Sequence, residues 1–186
     1  QPTETPFPFT DVPESRWSYP YIQQLYDAGV VSGTSATTFE PTANVTRAQF
    51  VTMLAGLQGA DVSAYTSGKF SDVPADAWYA PYVNWAAENG VVYGVSDTAF
   101  APDAEISRQD MAAMLYRYCG SPAASGSLST YADAASVSAF ASDAMQWCVN
   151  NGIINGMDGL LNPQGQATRA QVSAMFARYI RLAAAK

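Results

Sequence analysis

A hydroxyl residue followed by arginine recurs at a fixed interval: Thr46-Arg47-Ala48-Gln49, Ser107-Arg108-Gln109-Asp110 and Thr168-Arg169-Ala170-Gln171 place their arginines 61 residues apart. A constant internal period of this length restricts the chain to stacked copies of one supersecondary unit, none able to bury its apolar face alone. In each copy the hydroxyl residue precedes an amide or acid by three positions and apolar residues at helical spacing follow, the pattern of a capped helix start. The arginine is the odd member. A cation in the first turn faces the positive end of the helix dipole, at a cost of a few tenths of a kcal/mol. Three of the seven arginines sit there, so they need a role beyond helix formation.

The first copy opens at Phe9-Thr10-Asp11-Val12-Pro13, which favours an Asx-type turn. From Trp17 the apolar positions Tyr21, Ile22, Leu25 and Ala28 predict a short helix ending at Gly29. Pro20 is tolerable only in its first turn. Val30 to Gly33 reads as a brief extended exit, and Phe39-Glu40-Pro41 anchors a loop leading to Thr46. A second helix then carries Phe50, Met53, Leu54 and Leu57 on one face. The second copy repeats each marker, with Phe70, Asp72, Trp78, Gly94, Phe100, Pro102 and Arg108 and the face Met111, Met114, Leu115 and Tyr118. The third is worn at its front end: Tyr131-Ala132-Asp133 lacks Val-Pro, and Phe140 replaces tryptophan one residue late. Gly156, Pro163, Arg169 and the face Val172, Met175, Phe176 and Tyr179 are retained. Small polar linkers near 61–68 and 121–130 divide the chain into copies at 7–66, 67–127 and 128–186. Gln1 to Pro8 reads as the trimmed edge or linker of a larger protein.

A net charge of −7 repels phosphate backbones and no basic cluster appears, which argues against nucleic acid. No uninterrupted apolar run approaches the ~18 residues of a membrane span. Histidine is absent, removing the commonest general base and metal ligand. No metal or cofactor motif is present. A glycosidase needs two unlike carboxylates in one place, whereas these acids recur once per copy, so catalysis is not expected.

The order Phe-x-Asp-Val, a tryptophan about six residues on, Gly-Val-Val-x-Gly, Phe-x-Pro and Thr-Arg-Ala-Gln resembles the S-layer homology domain family. The resemblance covers roughly Phe7 to Ile180, with Ser-Arg-Gln-Asp and the front of copy three as departures. It implies an all-α fold of three helix-loop-helix repeats in a pseudo-threefold arrangement around a central three-helix bundle. It also implies grooves between repeats that hold an anionic secondary cell-wall polysaccharide, often ending in a pyruvate ketal. Such a module tethers a larger surface protein to a bacterial cell wall, outside the cell. Under that resemblance Phe50, Met53, Leu54, Met111, Met114, Leu115, Val172, Met175 and Phe176 meet in the core.

Residue chemistry suits a sugar site, which needs an aromatic face, orienting polar groups and, for an acidic sugar, a planar guanidinium. The candidates recur by copy: Asp11, Trp17, Gly33 and Arg47; Asp72, Trp78, Gly94 and Arg108; Asp133, Phe140, Gly156 and Arg169. Each has a structural alternative. Trp17 and Trp78 either pack into the core or line a groove. The aspartates either hold a turn or an arginine, or touch ligand. The arginines either bind ligand from an exposed first turn, in which case their loss would leave the fold intact, or form ion pairs inside the module. The glycines serve tight turns first, with ligand contact through their amides second. Copy three is expected to bind weakest, since Phe140 lacks an indole donor. A protein-interaction module would instead use exposed tyrosines such as Tyr19, Tyr79 and Tyr93. Cys119 and Cys148 align with apolar positions and are expected to be free thiols.

Overall fold

In the computed structural model, which describes residues 6–186, the described residues form six α-helices and no strands. Of the N-terminal stretch read as a linker, residues 1–5 lie outside the described residues. The helices are α1 (Tyr19–Asp27), α2 (Arg47–Gly56), α3 (Ala80–Glu88), α4 (Arg108–Tyr118), α5 (Ser142–Asn150) and α6 (Arg169–Ala184). They divide between two compact units, one made of the described residues up to Asn44 with Thr168–Lys186, the other of Val45–Ala167.

The predicted helix starts are where the residues form them. Thr46 and Thr168 cap α2 and α6 with full capping boxes, each hydroxyl accepting from the amide of Gln49 or Gln171 while that glutamine's side chain accepts from the cap's own N–H. Ser107 accepts from the Asp110 amide, without the reciprocal bond. Pro20 and Pro81 sit in the first turns of α1 and α3, where a missing N–H costs nothing. Gly29, Gly90 and Gly152 end the first helices of the three copies with φ near 70°. The worn front of copy three folds as two 3-10 turns, Ala134–Ser136 and Ala139–Ala141, that lead into α5.

Helices pair across copies. In the larger unit α2 packs on α3, and α4 packs on α5 and on the turn at Ala139–Ala141. In the smaller unit α1 packs on α6. The side chains that make these faces are buried: Phe50 and Leu54, Val83 and Ala86, Met111 and Leu115, Met145 and Cys148 in the larger unit, Ile22 and Leu25 with Val172, Met175 and Phe176 in the smaller. Met53 departs from expectation. It lies half-buried, one position off the face that Phe50, Val51 and Leu54 fill. Copies one and two also carry a small aromatic pair, Phe9 against Phe39 at 5.4 Å and Phe70 against Phe100 at 5.5 Å, which ties the opening of the copy to its Phe-x-Pro loop. Among the described residues neither Cys119 nor Cys148 is in a disulfide. Burial of Cys148 pushes its thiol pKa strongly up, so it stays a protonated apolar residue.

Candidate functional site

The Phe-x-Pro loop, Leu161-Asn162-Pro163 in copy three, is held from both sides by charge. Its middle residue, Glu40, Ala101 or Asn162, adopts a positive φ of 49–56°, a conformation that costs a non-glycine residue of order 1–3 kcal/mol. The copy's own aspartate stabilises it. Asp72 accepts from the amides of Phe100 and Ala101 at 2.9 and 2.8 Å, Asp133 from those of Leu161 and Asn162 at 2.8 Å each, and Asp11 from Phe39 and Glu40 at 2.9 and 2.8 Å. The partner amides are therefore 28 and 29 residues away, not in a local Asx turn. Asp72 is pushed up by burial, but the two N–H bonds and the Arg47 charge outweigh this and hold its carboxyl below the usual range. Asp133 is lowered by the Leu161 and Asn162 amides with help from Arg108, against a smaller effect of burial.

An arginine from the second helix of another copy grips the other side of the same peptide. Arg47 Nε donates to the Phe100 carbonyl at 2.9 Å, Arg108 Nε to that of Leu161 at 2.8 Å and Arg169 Nε to that of Phe39 at 2.7 Å. The guanidinium lies over the ring in two cases, at 4.9 Å from Phe100 and 4.3 Å from Phe39. The helix amides complete the grip: Arg47 and Ala48 N–H donate to the carbonyls of Ala104 and Pro102, Arg108 and Gln109 to Gly165 and Pro163, and Arg169 and Ala170 to Ala43 and Pro41. The expectation of exposed first-turn arginines is therefore corrected. Arg47 and Arg108 are 5% and 4% exposed, Arg169 is half-buried, and each is built into the fold through backbone carbonyls.

The motif glycines stand against the opening ring of their copy. Gly94 has φ 91°, and a Cβ there would lie 2.5 Å from the Ala99 carbonyl and 2.6 Å from the Phe70 ring. Gly33 and Gly156 face Phe9 and Tyr131 with no room for a methyl. These positions need glycine for packing, whatever else their amides do.

The aromatic candidates resolve differently. Trp17, Trp78 and Phe140 are 55%, 60% and 55% exposed, so the core-packing alternative does not describe them. Of the tyrosines considered for protein contact, Tyr93 is exposed whereas Tyr19 and Tyr79 are half-buried.

Three of the predicted residues meet in one groove of the larger unit, with a volume near 460 Å³. Its wall brings together Arg47 from copy one, Gly94 from copy two and Phe140 from copy three. The sequence reading missed its other polar members, Tyr93, Asp110 and Arg117. Asp110 Oδ2 accepts from Arg47 Nη1 at 3.1 Å, an ion pair of a kind left open from the sequence, with the carboxylate supplied by copy two. Arg117 lies over Tyr93, 4.4 Å from the ring centroid. Burial lowers the pKa of both arginines, yet guanidinium stays protonated. A signal for Arg117 was present: positions 110, 113, 114 and 117 form one helix stripe beside the core stripe 111, 114, 115 and 118. The groove thus combines an exposed aromatic face, two cations and one carboxylate, the groups that orient an acidic sugar.

A family model for the S-layer homology domain matches residues 8–51, 69–112 and 130–173. An endoglucanase of Bacillus sp. (strain KSM-635) is 39% identical over 170 residues, covering 89% of this chain and 18% of that protein. A surface-layer 125 kDa protein of Lysinibacillus sphaericus is 34% identical over 166 residues, 86% of this chain and 14% of its own. An amylopullulanase of Thermoanaerobacterium thermosulfurigenes is 31% identical over 175 residues, 90% and 9% respectively. The chain spans less than a fifth of each of these relatives.

Proposed function

Since the chain belongs to the S-layer homology domain family, we propose that it is a non-catalytic module that binds an anionic secondary cell-wall polysaccharide and so tethers a larger protein to the wall. The family match and the surface-layer relatives make the chain a cell-surface anchoring module. Relatives named as an endoglucanase and an amylopullulanase match it over a small share of their length, which suits an anchor attached to unlike partners.

The observation that carries the polysaccharide reading is the groove in which Phe140, 55% exposed, faces Arg47, Asp110 and Arg117. An acidic chain has no long-range attraction for an anionic polymer, so affinity must arise inside a partly desolvated groove from matched short-range contacts. The proposal keeps the pseudo-threefold arrangement around a central three-helix bundle, with copies at 7–66, 67–127 and 128–186. Pairing of α2 with α3 and of α4 with α5 in the larger unit, and of α6 with α1 in the smaller, supports it, because each second helix then meets the first helix of another copy. Trp17, Trp78 and Phe140 serve as stacking faces, and copy three, lacking an indole donor, binds most weakly. Nucleic acid and membrane insertion have no place in this reading; among the described residues no helix is long and apolar enough to cross a membrane.

The test is retention of the chain on purified wall polysaccharide before and after chemical removal of its acidic substituents, beside surface proteins stripped of wall. Loss of retention with the substituents supports the reading. Retention on the stripped proteins alone would replace it with a protein-assembly role, for which exposed Tyr93 is the one favourable tyrosine.

A further inference from the structure

Asp110 sets the groove of the larger unit apart. The equivalent residues of the other copies are Gln49 and Gln171, both spent in capping boxes. The arginines of copies two and three reach the loop backbone twice: Arg108 Nη2 donates to the Asn155 carbonyl at 3.1 Å, and Arg169 Nη2 to that of Ser32 at 2.9 Å, each one residue before the motif glycine. Arg47 instead turns Nη1 to Asp110, and the matching carbonyl, that of Tyr93, accepts from Lys69 Nζ at 3.4 Å. With Nε on Phe100 and Nη1 on Asp110, and 5% exposure, Arg47 has little left to offer a ligand.

Arg117 is in the opposite state. It lines the same groove, is half-buried over the Tyr93 ring, and among the described residues its guanidinium makes no hydrogen bond or ion pair. A partly desolvated guanidinium held against an aromatic face, with its donors unspent, is a ready partner for a carboxylate, which it can engage through two parallel N–H bonds.

Resting on the polysaccharide reading above, we propose that Arg117 receives the anionic substituent of the sugar in this groove, while Asp110 has taken Arg47 into the fold. The division of labour is specific. Asp110 Oδ1 carries no hydrogen bond among the described residues and accepts a sugar hydroxyl, Phe140 stacks on the ring, and Arg117 reads the acid. The groove therefore takes an acidic sugar with a free hydroxyl beside its acid group, and Asp110 opposes the acid by direct repulsion across the same small volume.

The test uses the full 186-residue chain with two probes, a methyl hexoside carrying a pyruvate ketal and the same hexoside without it, followed at the Gly94 and Val95 amides by NMR. The wild-type chain is expected to bind the ketal in preference at these amides. Arg117→Gln should weaken the ketal by about tenfold or more, with a much smaller effect on the neutral probe, and should still melt cooperatively. Arg117→Lys should fall between, since it keeps charge and loses the fork. Asp110→Asn should tighten the ketal severalfold. Wild-type affinity in Arg117→Gln, or weaker binding of the ketal in Asp110→Asn, overturns the assignment. A chain that is retained on wall polysaccharide but shows no ketal response at Gly94 overturns this inference alone. A chain not retained on that polysaccharide overturns the earlier reading, and this one with it.

Discussion

Replacing Arg108 with alanine distinguishes a structural arginine from one reserved for ligand. The side chain is 4% exposed and donates to two backbone carbonyls, Leu161 at 2.8 Å and Asn155 at 3.1 Å. A hydrogen bond from a charged donor contributes roughly 1.5–3 kcal/mol. The two bonds share one guanidinium and water can reach part of the space left behind, so the loss should be about 3 kcal/mol rather than twice the single value. For a chain of this size that lowers the melting temperature by about 6–12 °C. Arg108→Lys keeps the charge but serves one carbonyl, and should lose about half as much. Urea unfolding by circular dichroism reads the change as a shifted midpoint at unchanged slope. Leu161 also donates its amide to Asp133, so a double-mutant cycle with Asp133→Asn should show a coupling of about 0.5 kcal/mol or more. An Arg108→Ala chain that unfolds at the wild-type midpoint would refute the carbonyl-clamp argument and return these arginines to the surface role read from sequence.

Acid should weaken the fold: the Asp72 and Asp133 carboxyls lie below their ordinary value, so their stabilisation is complete above about pH 4 and is lost as pH falls through the depressed folded pKa, and Asp72→Asn with Asp133→Asn should flatten that dependence in melts from pH 2 to 6. Gly94→Ala should destabilise severely, because its Cβ meets the Ala99 carbonyl and the Phe70 ring at 2.5 and 2.6 Å; a wild-type melt would contradict the packing. A fragment of residues 1–66 has α2 without α3 and without the Pro102 and Ala104 carbonyls that cap it, and should show no cooperative melt by calorimetry. Thiol titration should count two groups in denaturant without reductant, and fewer in the native chain, where Cys148 is buried and its thiolate disfavoured.

What could be read from sequence was local. Thr46, Ser107 and Thr168 announce helix starts because a cap and its N3 residue are three positions apart, and Gly29 announces a helix end because the left-handed cap is a single-residue property. The centres of the apolar faces were legible through their period, whereas Met53 and the outer positions Tyr21, Leu57, Tyr118 and Tyr179 are half-buried and Ala28 is exposed. The destinations of the charged side chains were not. Asp11 bonds amides 28 and 29 residues away and Arg47 a carbonyl 53 residues away, and neither residue type signals a backbone partner at such a distance. Arg117 was lost for a different reason. The stripe it shares with Asp110 overlaps the core stripe at Met114, and assigning α4 one buried face concealed its second, groove-lining one.

The misplaced cation has a physical resolution in the docking of one copy's loop on the second helix of another copy. A free helix N-terminus presents unpaired N–H groups and repels an arginine. In α2 the first two of these donate to the Ala104 and Pro102 carbonyls, so the helix end is covered by inward-pointing oxygens from alternate residues of the 100–104 loop. The Phe100 carbonyl continues the series, and Arg47 Nε takes it. The arginine thus extends a row of donors that the helix begins, and its charge meets carbonyl oxygens and the nearby Asp72 carboxylate rather than bare amides. Proline suits the middle of the loop on the same grounds: it contributes an acceptor to the row, while the amide it lacks would have had no place in it. The geometry requires Asp72 as well, since a row of carbonyls facing one way leaves the Phe100 and Ala101 amides facing the other, and a carboxylate is the side chain that can accept both.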